Sequence, residues 1–221
     1  MKRIDKFNSI WKENWLTGIR LIPKLAKWGQ SEKGIVLDLG CGESPFRYLF
    51  PLAKYYIRID RNAVDEKVVI ADITRIPLND ESVDAVLLFQ VLGDIPEPKS
   101  FLKEVSRILK PEGRMIIFES MCYPEHDMPH DYYRLMPSGI DYLSMKVGFQ
   151  CTEITRLGGL FTRFAMLWNK FIMGKIKNFP VICWLAHIGI FLANIICYSL
   201  DQVFLHPNLA ENYIARFVKR T

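Results

Sequence analysis

Short apolar runs alternate with amphipathic segments along the first two thirds of the chain. Between the runs, Ser100 to Leu109 places apolar residues at helical spacing ahead of Pro111 and Gly113. Short apolar strands joined by helical crossovers are typical of a parallel sheet that is covered on both faces. The pattern predicts an α/β fold with strands at residues 35–39, 55–60, 68–71, 84–89 and 114–119.

Both ends of the chain add further elements. Apolar residues recur at helical spacing from Phe7 to Trp28, and Pro23 is expected to end or kink that helix. Later segments predict a helix (137–147), a sixth strand (150–155) and a final strand (211–219). We therefore expect about seven strands in one domain, the last antiparallel. Its segments are an N-terminal helical part (1–30), a core (31–158), an apolar helical insert (159–206) and the last strand (207–221).

The strongest local signal follows the first strand, where Asp38 and Leu39 lead into Gly40-Cys41-Gly42. Glycines allow the backbone to turn tightly and to approach a ligand closely. Asp60 ends the second strand, at the place where an acid accepts hydrogen bonds from a ribose diol. Asp72 follows the third strand. Each acid alone predicts only a capped turn, but three at successive strand ends predict a nucleoside-type ligand.

The same spacing also suits NAD, so the residues after the glycines must distinguish NAD from other nucleoside-type ligands. A pyrophosphate site needs a third glycine and the free N–H groups of a helix N-terminus. Here Glu43, Ser44 and Pro45 occupy that position. A carboxylate there would repel a pyrophosphate, whereas a zwitterionic methionine moiety would tolerate it better.

These motifs resemble the class I S-adenosylmethionine-dependent methyltransferases, in particular the UbiE-like group with "methyltransferase 11" domains. The resemblance covers roughly Lys33 to Thr155 and rests on VLDLGCGESPF, YYIRID, ADITRIPLNDESVDAVLLFQVLGDIPEP and FLKEVSRILKPEGRMIIFE. It implies a Rossmann-like doubly wound sheet with S-adenosyl-L-methionine as the cofactor. The cofactor-binding residues that it implies are Asp38, Gly40, Cys41, Gly42, Asp60, Arg61, Asp72, Ile73, Phe89 and Gln90. Many relatives carry Glu and His where this chain has Gly93 and Asp94, which puts any acceptor role of those two positions in doubt.

A loop rich in titratable residues follows the fifth strand, from Ser120 to Arg134. Ligands of open α/β sheets bind at the carboxyl ends of the strands, so this loop is expected to face the transferred methyl group. An oxygen or nitrogen acceptor can require a base. We predict that His126 or His130 is the catalytic base, oriented by Asp127 or Asp131.

Two other interpretations of this loop were weighed. His130, Asp131 and Arg134 can instead pair with one another and simply hold the loop. A metal site is not expected, because prolines break the helix that would align its possible ligands (Cys122, His126 and His130).

Charge and cysteine content set the expected partners and compartment. The net charge of +5 is a mild basic excess without a Lys/Arg-rich block, which predicts no nucleic-acid partner. The five cysteines are odd in number and irregularly spaced, which favours free thiols in a reducing compartment. The N-terminal residues lack the apolar core of a secretory signal, so we expect a cytoplasmic protein.

The insert raises the question of a membrane. Residues 178–200 carry no formal charge and are long enough to span a bilayer, although His187 and Asn194 make spanning costly. Residues 160–177 combine an apolar face with three basic residues spaced seven apart, as in helices that lie on a membrane surface. We expect peripheral contact with the inner face of a membrane through residues 160–200. The alternative is a cap over the acceptor pocket or a dimer interface, and the oligomeric state is left open.

The expected function is methyl transfer from S-adenosylmethionine to an oxygen of a lipid-linked or glycan-type acceptor. Loops similar to PHDYYR occur in relatives that modify glycans and lipids, which is the resemblance behind this expectation. A quinone or isoprenoid C-methyltransferase would use the same cofactor site with a more apolar pocket. A non-catalytic S-adenosylmethionine-binding scaffold is the third possibility.

Overall fold

The computed structural model describes residues 14–62, 65–176, 180–204 and 206–220. The first half holds α1 (Trp15–Gly29), β1 (Gly34–Leu39), β2 (Ala53–Asp60), β3 (Val68–Ile70), β4 (Val83–Phe89) and α2 (Pro98–Ile108). The second half holds β5 (Leu109–Ser120), α3 (Pro137–Met145), β6 (Phe149–Leu157), α4 (Leu160–Ile176), α5 (Pro180–Val203) and β7 (Asn212–Lys219). A short 3₁₀ turn at Leu92–Asp94 follows β4.

The seven strands form one sheet in the order β3-β2-β1-β4-β5-β7-β6. The pairs β1–β2, β1–β4, β2–β3 and β4–β5 are parallel. At the end of β7, Lys219 Nζ donates to the carbonyl of Leu109, where β5 begins. The Arg220 amide donates to the carbonyl of Gly148, just before β6 begins. β7 therefore runs antiparallel to both neighbours, and the predicted fold class and antiparallel last strand are confirmed.

The central strands are apolar because both of their faces are covered. Val36, Leu37 and Leu39 of β1 are fully buried, as are residues 85–88 of β4 and 115–117 of β5. Such strands read as continuous runs of Val, Ile and Leu rather than as alternating patterns. This rigid centre places the loops at the carboxyl ends of the strands side by side.

Pro23 does not end the first helix, and the largest shift of a predicted boundary is at the start of β5. α1 continues through Pro23 to Gly29, and residues 7–13 of the predicted helix lie outside the described residues. β5 begins at Leu109 rather than Arg114, directly after α2. Val83 pairs with Leu109 and Ala85 with Arg114, so residues 110–113 form a bulge instead of a loop. Pro111 and Gly113 end the helix as expected, but a bulge can accommodate both within a strand.

The chain divides into two compact units. Among the described residues, those within 25–155 and 213–220 form one, called here the sheet unit, and those within 14–24 and 156–212 form the other, called the helical unit. In the helical unit, the Asp201 carboxylate of α5 accepts hydrogen bonds from the backbone amides of Gly159, Phe161 and Thr162 at 3.1 Å each. It therefore satisfies amides at the start of α4 that have no partner within that helix.

Candidate functional site

A cavity of about 750 Å³ opens at the carboxyl ends of β1 to β4 in the sheet unit. Its volume is typical of sites for small molecules and cofactors. Eight residues predicted for the site line it: Gly40, Asp60, Arg61, Asp72, Ile73, Gln90, Asp127 and His130. The structure thus brings together residues from five separate stretches of the sequence.

The glycine turn after β1 forms one wall of the cavity. Gly40 has φ +62° and Gly42 has φ +46°, both in the left-handed region that favours glycine. A Cβ atom on Gly40 would lie 2.6 Å from Cγ2 of Val91. A side chain at position 40 would therefore clash with Val91 and strain the backbone, so glycine is favoured there.

Asp60 joins the glycine turn to the end of β2. Its Oδ2 accepts a hydrogen bond from the Gly42 amide, and its Oδ1 accepts one from the Asn62 amide, both at 2.9 Å. An ionised carboxylate offers about four lone-pair sites. The remaining acceptor capacity faces the cavity and suits the two hydroxyls of a ribose.

Asp72 occupies the corresponding position after β3. Its Oδ1 accepts hydrogen bonds from the Thr74 amide at 2.8 Å and the Thr74 hydroxyl at 2.7 Å. These bonds hold the pKa of Asp72 below its usual value and keep the carboxylate ionised. Asp72 and Ile73 thus offer an acceptor beside an apolar side chain, which fits an aminopurine ring.

Asp38 lies outside the cavity lining, although the resemblance assigns it to the cofactor. Its Oδ2 accepts hydrogen bonds from the Ser44 hydroxyl at 2.5 Å and the Tyr56 hydroxyl at 2.9 Å. Burial raises the pKa of Asp38 to about 6. In this geometry Asp38 anchors the far side of the glycine turn, and its contact with the cofactor stays a prediction.

Cys41, Gly42 and Phe89 also lie outside the lining. Burial raises the pKa of the Cys41 thiol to about 12, which favours the protonated thiol at neutral pH. The Phe89 ring packs edge-on against Phe46, with centroids 5.6 Å apart. Their predicted role as cofactor contacts is untested, and the structure gives them supporting positions behind the wall.

Glu119, at the end of β5, is a buried residue that the sequence analysis missed. Its Oε1 accepts hydrogen bonds from the amides of Val91 and Leu92, both at 2.9 Å. These bonds fix the turn after β4, where Gln90 has φ +57°. Burial raises the pKa of Glu119 to about 7. The sequence feature that could have identified Glu119 is its position directly after the apolar run MIIF.

Replacing Glu119 by glutamine is expected to flatten the dependence of stability on pH. The folded-state pKa of Glu119 is raised, so its stabilising contribution is complete below the unfolded-state pKa and is lost as pH rises through about 7. Between pH 5 and pH 8 this loss is roughly 2–3 kcal/mol. Urea unfolding of both proteins at the two pH values measures it. Equal losses in wild type and Glu119→Gln would contradict the assignment.

The loop after β5 is held by an ion pair. The Asp131 carboxylate accepts hydrogen bonds from Nη1 and Nη2 of Arg134, the latter at 2.7 Å, and from the His126 amide at 2.9 Å. The Arg134 guanidinium holds the pKa of Asp131 well below its usual range. Arg134 also donates to the carbonyls of Tyr123 and Pro124. Asp131 is therefore engaged in maintaining the loop and does not line the cavity.

Gly93 allows this loop to lie close to the 3₁₀ turn after β4. Its carbonyl accepts hydrogen bonds from the amides of Tyr132 at 2.9 Å and Tyr133 at 3.0 Å. A Cβ atom on Gly93 would lie 2.8 Å from the Tyr133 carbonyl oxygen. The glutamate that many relatives carry here is thus incompatible with this loop position, which gives the departure at Gly93 a physical reason.

The structure separates the two candidate histidines. His130 lines the cavity, and its Nδ1 lies 3.4 Å from the Tyr132 hydroxyl. His126 lies outside the lining, with Nδ1 3.2 Å from Asp131 Oδ2 and Nε2 4.0 Å from Asp94 Oδ1. Asp94 itself lines the cavity, and burial raises its pKa. The sequence analysis noted Asp94 only as a departure and did not include it among the site residues.

The cavity is acidic. Among the lining residues that the structure describes, Asp60, Asp72, Asp94 and Asp127 oppose the single guanidinium of Arg61. Arg61 is paired with Asp127, which also ties the end of β2 to the loop after β5. This lining favours a cationic ligand and disfavours a pyrophosphate.

These features together define a nucleoside-binding domain of the α/β class: the glycine turn, the acids at the strand ends and the parallel sheet. Residues 37–117 match the family model described as a methyltransferase domain. This match confirms the predicted resemblance to the class I S-adenosylmethionine-dependent methyltransferases and the predicted cofactor, S-adenosylmethionine.

Curated relatives match parts of the chain. The 25S rRNA (adenine(645)-N(1))-methyltransferase of Schizosaccharomyces pombe is 31% identical over 151 residues, which cover 67% of this chain and 44% of that protein. The demethylmenaquinone methyltransferase of Clavibacter sepedonicus is 44% identical over 66 residues, which cover 29% of this chain and 27% of that protein. The chain therefore spans less than half the length of each of these relatives.

Solved structures share the fold. A putative methyltransferase from Bacillus halodurans C-125 has a TM-score of 0.59 at 16% identity, with 91% of this chain and 99% of that chain covered. The 1,6-didemethyltoxoflavin-N1-methyltransferase of Burkholderia thailandensis, with bound S-adenosylhomocysteine, has a TM-score of 0.59 at 11% identity, with 90% and 78% covered. At these identities the likeness concerns the fold alone.

The prediction that nucleic acid is not a partner is wrong. It rested on a mild net charge, and a relative that is 31% identical over 151 residues is named as an rRNA methyltransferase. Net charge averages over the whole chain, whereas RNA recognition depends on local patches and on single unpaired bases. Total charge was therefore the wrong quantity from which to exclude RNA.

Proposed function

We propose that this chain transfers the methyl group of S-adenosylmethionine to a hydroxyl of a lipid-linked or glycan-type acceptor. The observation that carries the methyl-transfer part is the acidic cavity around the Gly40 turn. S-adenosylmethionine carries a sulfonium and an ammonium group against one carboxylate, so it is a net cation. Four lining carboxylates attract this cation and would repel the pyrophosphate of a dinucleotide.

Cofactor binding is assigned residue by residue from the described geometry. The Asp60 carboxylate would accept from the ribose hydroxyls, and Asp72 with Ile73 would hold the adenine. The Gly40 backbone, which lines the cavity, would lie against the methionine part. When bound, the cofactor supplies an activated methyl group for in-line displacement, and the protein mainly aligns donor and acceptor.

Asp94 is the group that we assign to accept the proton of the acceptor hydroxyl. It lines the cavity beside the loop after β5, and burial raises the pKa of its carboxyl, which makes the ionised form a better base. The His126 ring lies 4.0 Å from Asp94 and beside Asp131, and we assign it the role of positioning Asp94. Asp94 would take the hydroxyl proton when a bound cofactor supplies its methyl group to the hydroxyl oxygen. His130 remains the second candidate, because it also lines the cavity.

A ligand comparison tests the cofactor assignment. At about one hundred times its dissociation constant, S-adenosylmethionine is expected to stabilise the protein by about 2.7 kcal/mol, which raises Tm by roughly 5–10 °C. S-adenosylhomocysteine should act in the same direction, and NAD should leave Tm unchanged. Differential scanning fluorimetry with the three ligands measures this. Stabilisation by NAD alone would remove the proposal.

A second comparison tests the acceptor. Labelled methyl groups are followed from S-adenosylmethionine into a lipid-linked sugar, a free oligosaccharide, a demethylated quinone and ribosomal RNA. Label in the sugar-containing acceptors supports the proposal. Label in RNA would support the second candidate, a base methyltransferase, which the 31% identity to the Schizosaccharomyces pombe enzyme favours. Label in the quinone would indicate C-methylation, and cofactor binding without any transfer would indicate a scaffold.

A further inference from the structure

The helix pair α4 and α5 buries polar side chains. Thr162, Asn169, Asn194 and Asp201 are each at most 1% exposed. Asn169 Nδ2 donates to Asn194 Oδ1 at 3.3 Å and so links the two helices. Asp201 accepts a hydrogen bond from the Thr162 hydroxyl and pairs with Arg20 at 3.3 Å. The interior of the pair thus contains hydrogen-bonded polar groups beside the buried apolar residues Ala165, Met166 and Ile190.

The outer faces of the same helices are apolar. Six large apolar side chains are each 51–59% exposed: Phe164, Trp168, Phe171, Leu185, Leu192 and Ile196. On α4, Phe164, Trp168 and Phe171 recur at intervals of four and three residues, so they lie along one stripe of the helix. Because these three side chains are exposed, the stripe is not part of the core of the helical unit.

A helix in water turns its apolar stripe toward the core. These two helices instead bury polar residues between them and expose apolar residues on their outer faces. Between helices surrounded by lipid, apolar burial gives no driving force, and hydrogen bonds among Ser, Thr and Asn hold the helices together. Acids and other polar groups at membrane depth likewise face the interior of the helix assembly. The α4–α5 pair follows the arrangement expected in lipid.

Length and charge agree with a lipid environment. α5 has 24 residues, or about 36 Å at 1.5 Å per residue, whereas a bilayer core is about 30 Å thick. Its segment Leu185–Val203 is long and apolar enough to cross a membrane by length and composition, with a mean hydropathy of 1.2 and 17% of the segment buried. The sequence from 160 to 204 holds four basic residues and one acid, and that acid is the buried Asp201. The excess positive charge is complementary to anionic headgroups.

We propose that the outer faces of α4 and α5 insert among the acyl chains of a bilayer containing anionic phospholipid. Phe164, Trp168 and Phe171 of α4 and Leu192 and Ile196 of α5 contact the acyl chains. The net positive charge of the segment attracts it to the anionic headgroups. This inference concerns the helical unit and does not depend on the function proposed for the sheet unit.

Vesicle flotation of the full chain tests the inference. Wild type is expected to float with vesicles of phosphatidylcholine that contain about one third phosphatidylglycerol, and less with pure phosphatidylcholine. The triple variant Phe164→Ser, Trp168→Ser, Phe171→Ser should lower the vesicle partition coefficient by about 100-fold or more. The matched control is Tyr142→Ser with Met145→Ser, two side chains that are 57% and 50% exposed on α3 of the sheet unit. It should change the coefficient by no more than about twofold.

A second measurement does not depend on the triple variant folding. Vesicles with brominated acyl chains should quench the tryptophan fluorescence of wild type. The variant Trp168→Phe keeps the surface apolar, so it should still float with the vesicles but show less of that quenching. Failure of wild type to float, or quenching that is the same in both proteins, would overturn the inference. A lipid-free dimer that the triple variant converts to a monomer would overturn it in favour of a second copy of the chain. Calorimetry with S-adenosylhomocysteine on the same samples reports separately on the sheet unit.

Discussion

Replacing Asp94 by asparagine is expected to lower kcat by about 100-fold while leaving the affinity for S-adenosylhomocysteine nearly unchanged. Asparagine keeps the size of the side chain but cannot accept a proton, and general bases contribute at least about 100-fold to such reactions. His126→Ala should cost less, about tenfold, because His126 acts only through Asp94. Methyl transfer to the acceptor identified by the panel measures kcat, and calorimetry with S-adenosylhomocysteine measures affinity.

The pH profile distinguishes a base from a residue that only shapes the cavity. In wild type the rate should rise with pH as Asp94 ionises, and that rise should be absent in Asp94→Asn. Asp141→Asn, an exposed acid on α3, serves as the matched control and should retain the wild-type rate. Full turnover in Asp94→Asn together with loss of turnover in His130→Ala would transfer the role to His130. Full turnover in both would remove the proposal of a base.

Replacing Asp60 by alanine is expected to weaken the binding of S-adenosylhomocysteine by about 100-fold or more. The variant loses two charge-assisted hydrogen bonds to the ribose, together worth at least about 3 kcal/mol. It also loses the bond that Asp60 accepts from the Gly42 amide, so the glycine turn becomes less ordered. Isothermal titration calorimetry measures the change.

Asp141→Ala is again the control, and it should leave the affinity within about twofold of wild type. Circular dichroism of Asp60→Ala separates loss of binding from loss of the fold, because Asp60 ends a strand whose core residues are unchanged. Unaltered affinity in a folded Asp60→Ala would show that the ribose is held elsewhere, and the residue-by-residue assignment of the cofactor would then fail.

The central sheet and the cofactor end of the site could be predicted from sequence because local rules determine them. Strands buried on both faces read as unbroken apolar runs, and an acid at the end of such a run lies at the carboxyl edge of the sheet by topology. Gly40, Asp60 and Asp72 were found this way and line one cavity. The bulge at 110–113 was missed because Pro and Gly indicate a break without showing whether pairing resumes.

The acceptor side depends on contacts between residues distant in sequence, which spacing does not reveal. Asp94 and His126 are 32 positions apart, and their approach depends on the loop fixed by Asp131 and Arg134. The missing side chain at Gly93 is what allows that loop position. Without the fold, Gly93 and Asp94 could only be read as a departure from relatives. The buried Glu119 was overlooked for the same reason, since its partners lie in a different loop.

The acidic lining of the cavity also bears on how a catalytic cycle would end. Methyl transfer turns a sulfonium into a neutral thioether, so the spent cofactor has lost the positive charge that Asp60, Asp72, Asp94 and Asp127 attract. The Coulombic part of the binding free energy therefore favours the fresh donor over the spent one. Electrostatics at this site would thus ease product release and limit inhibition by the by-product.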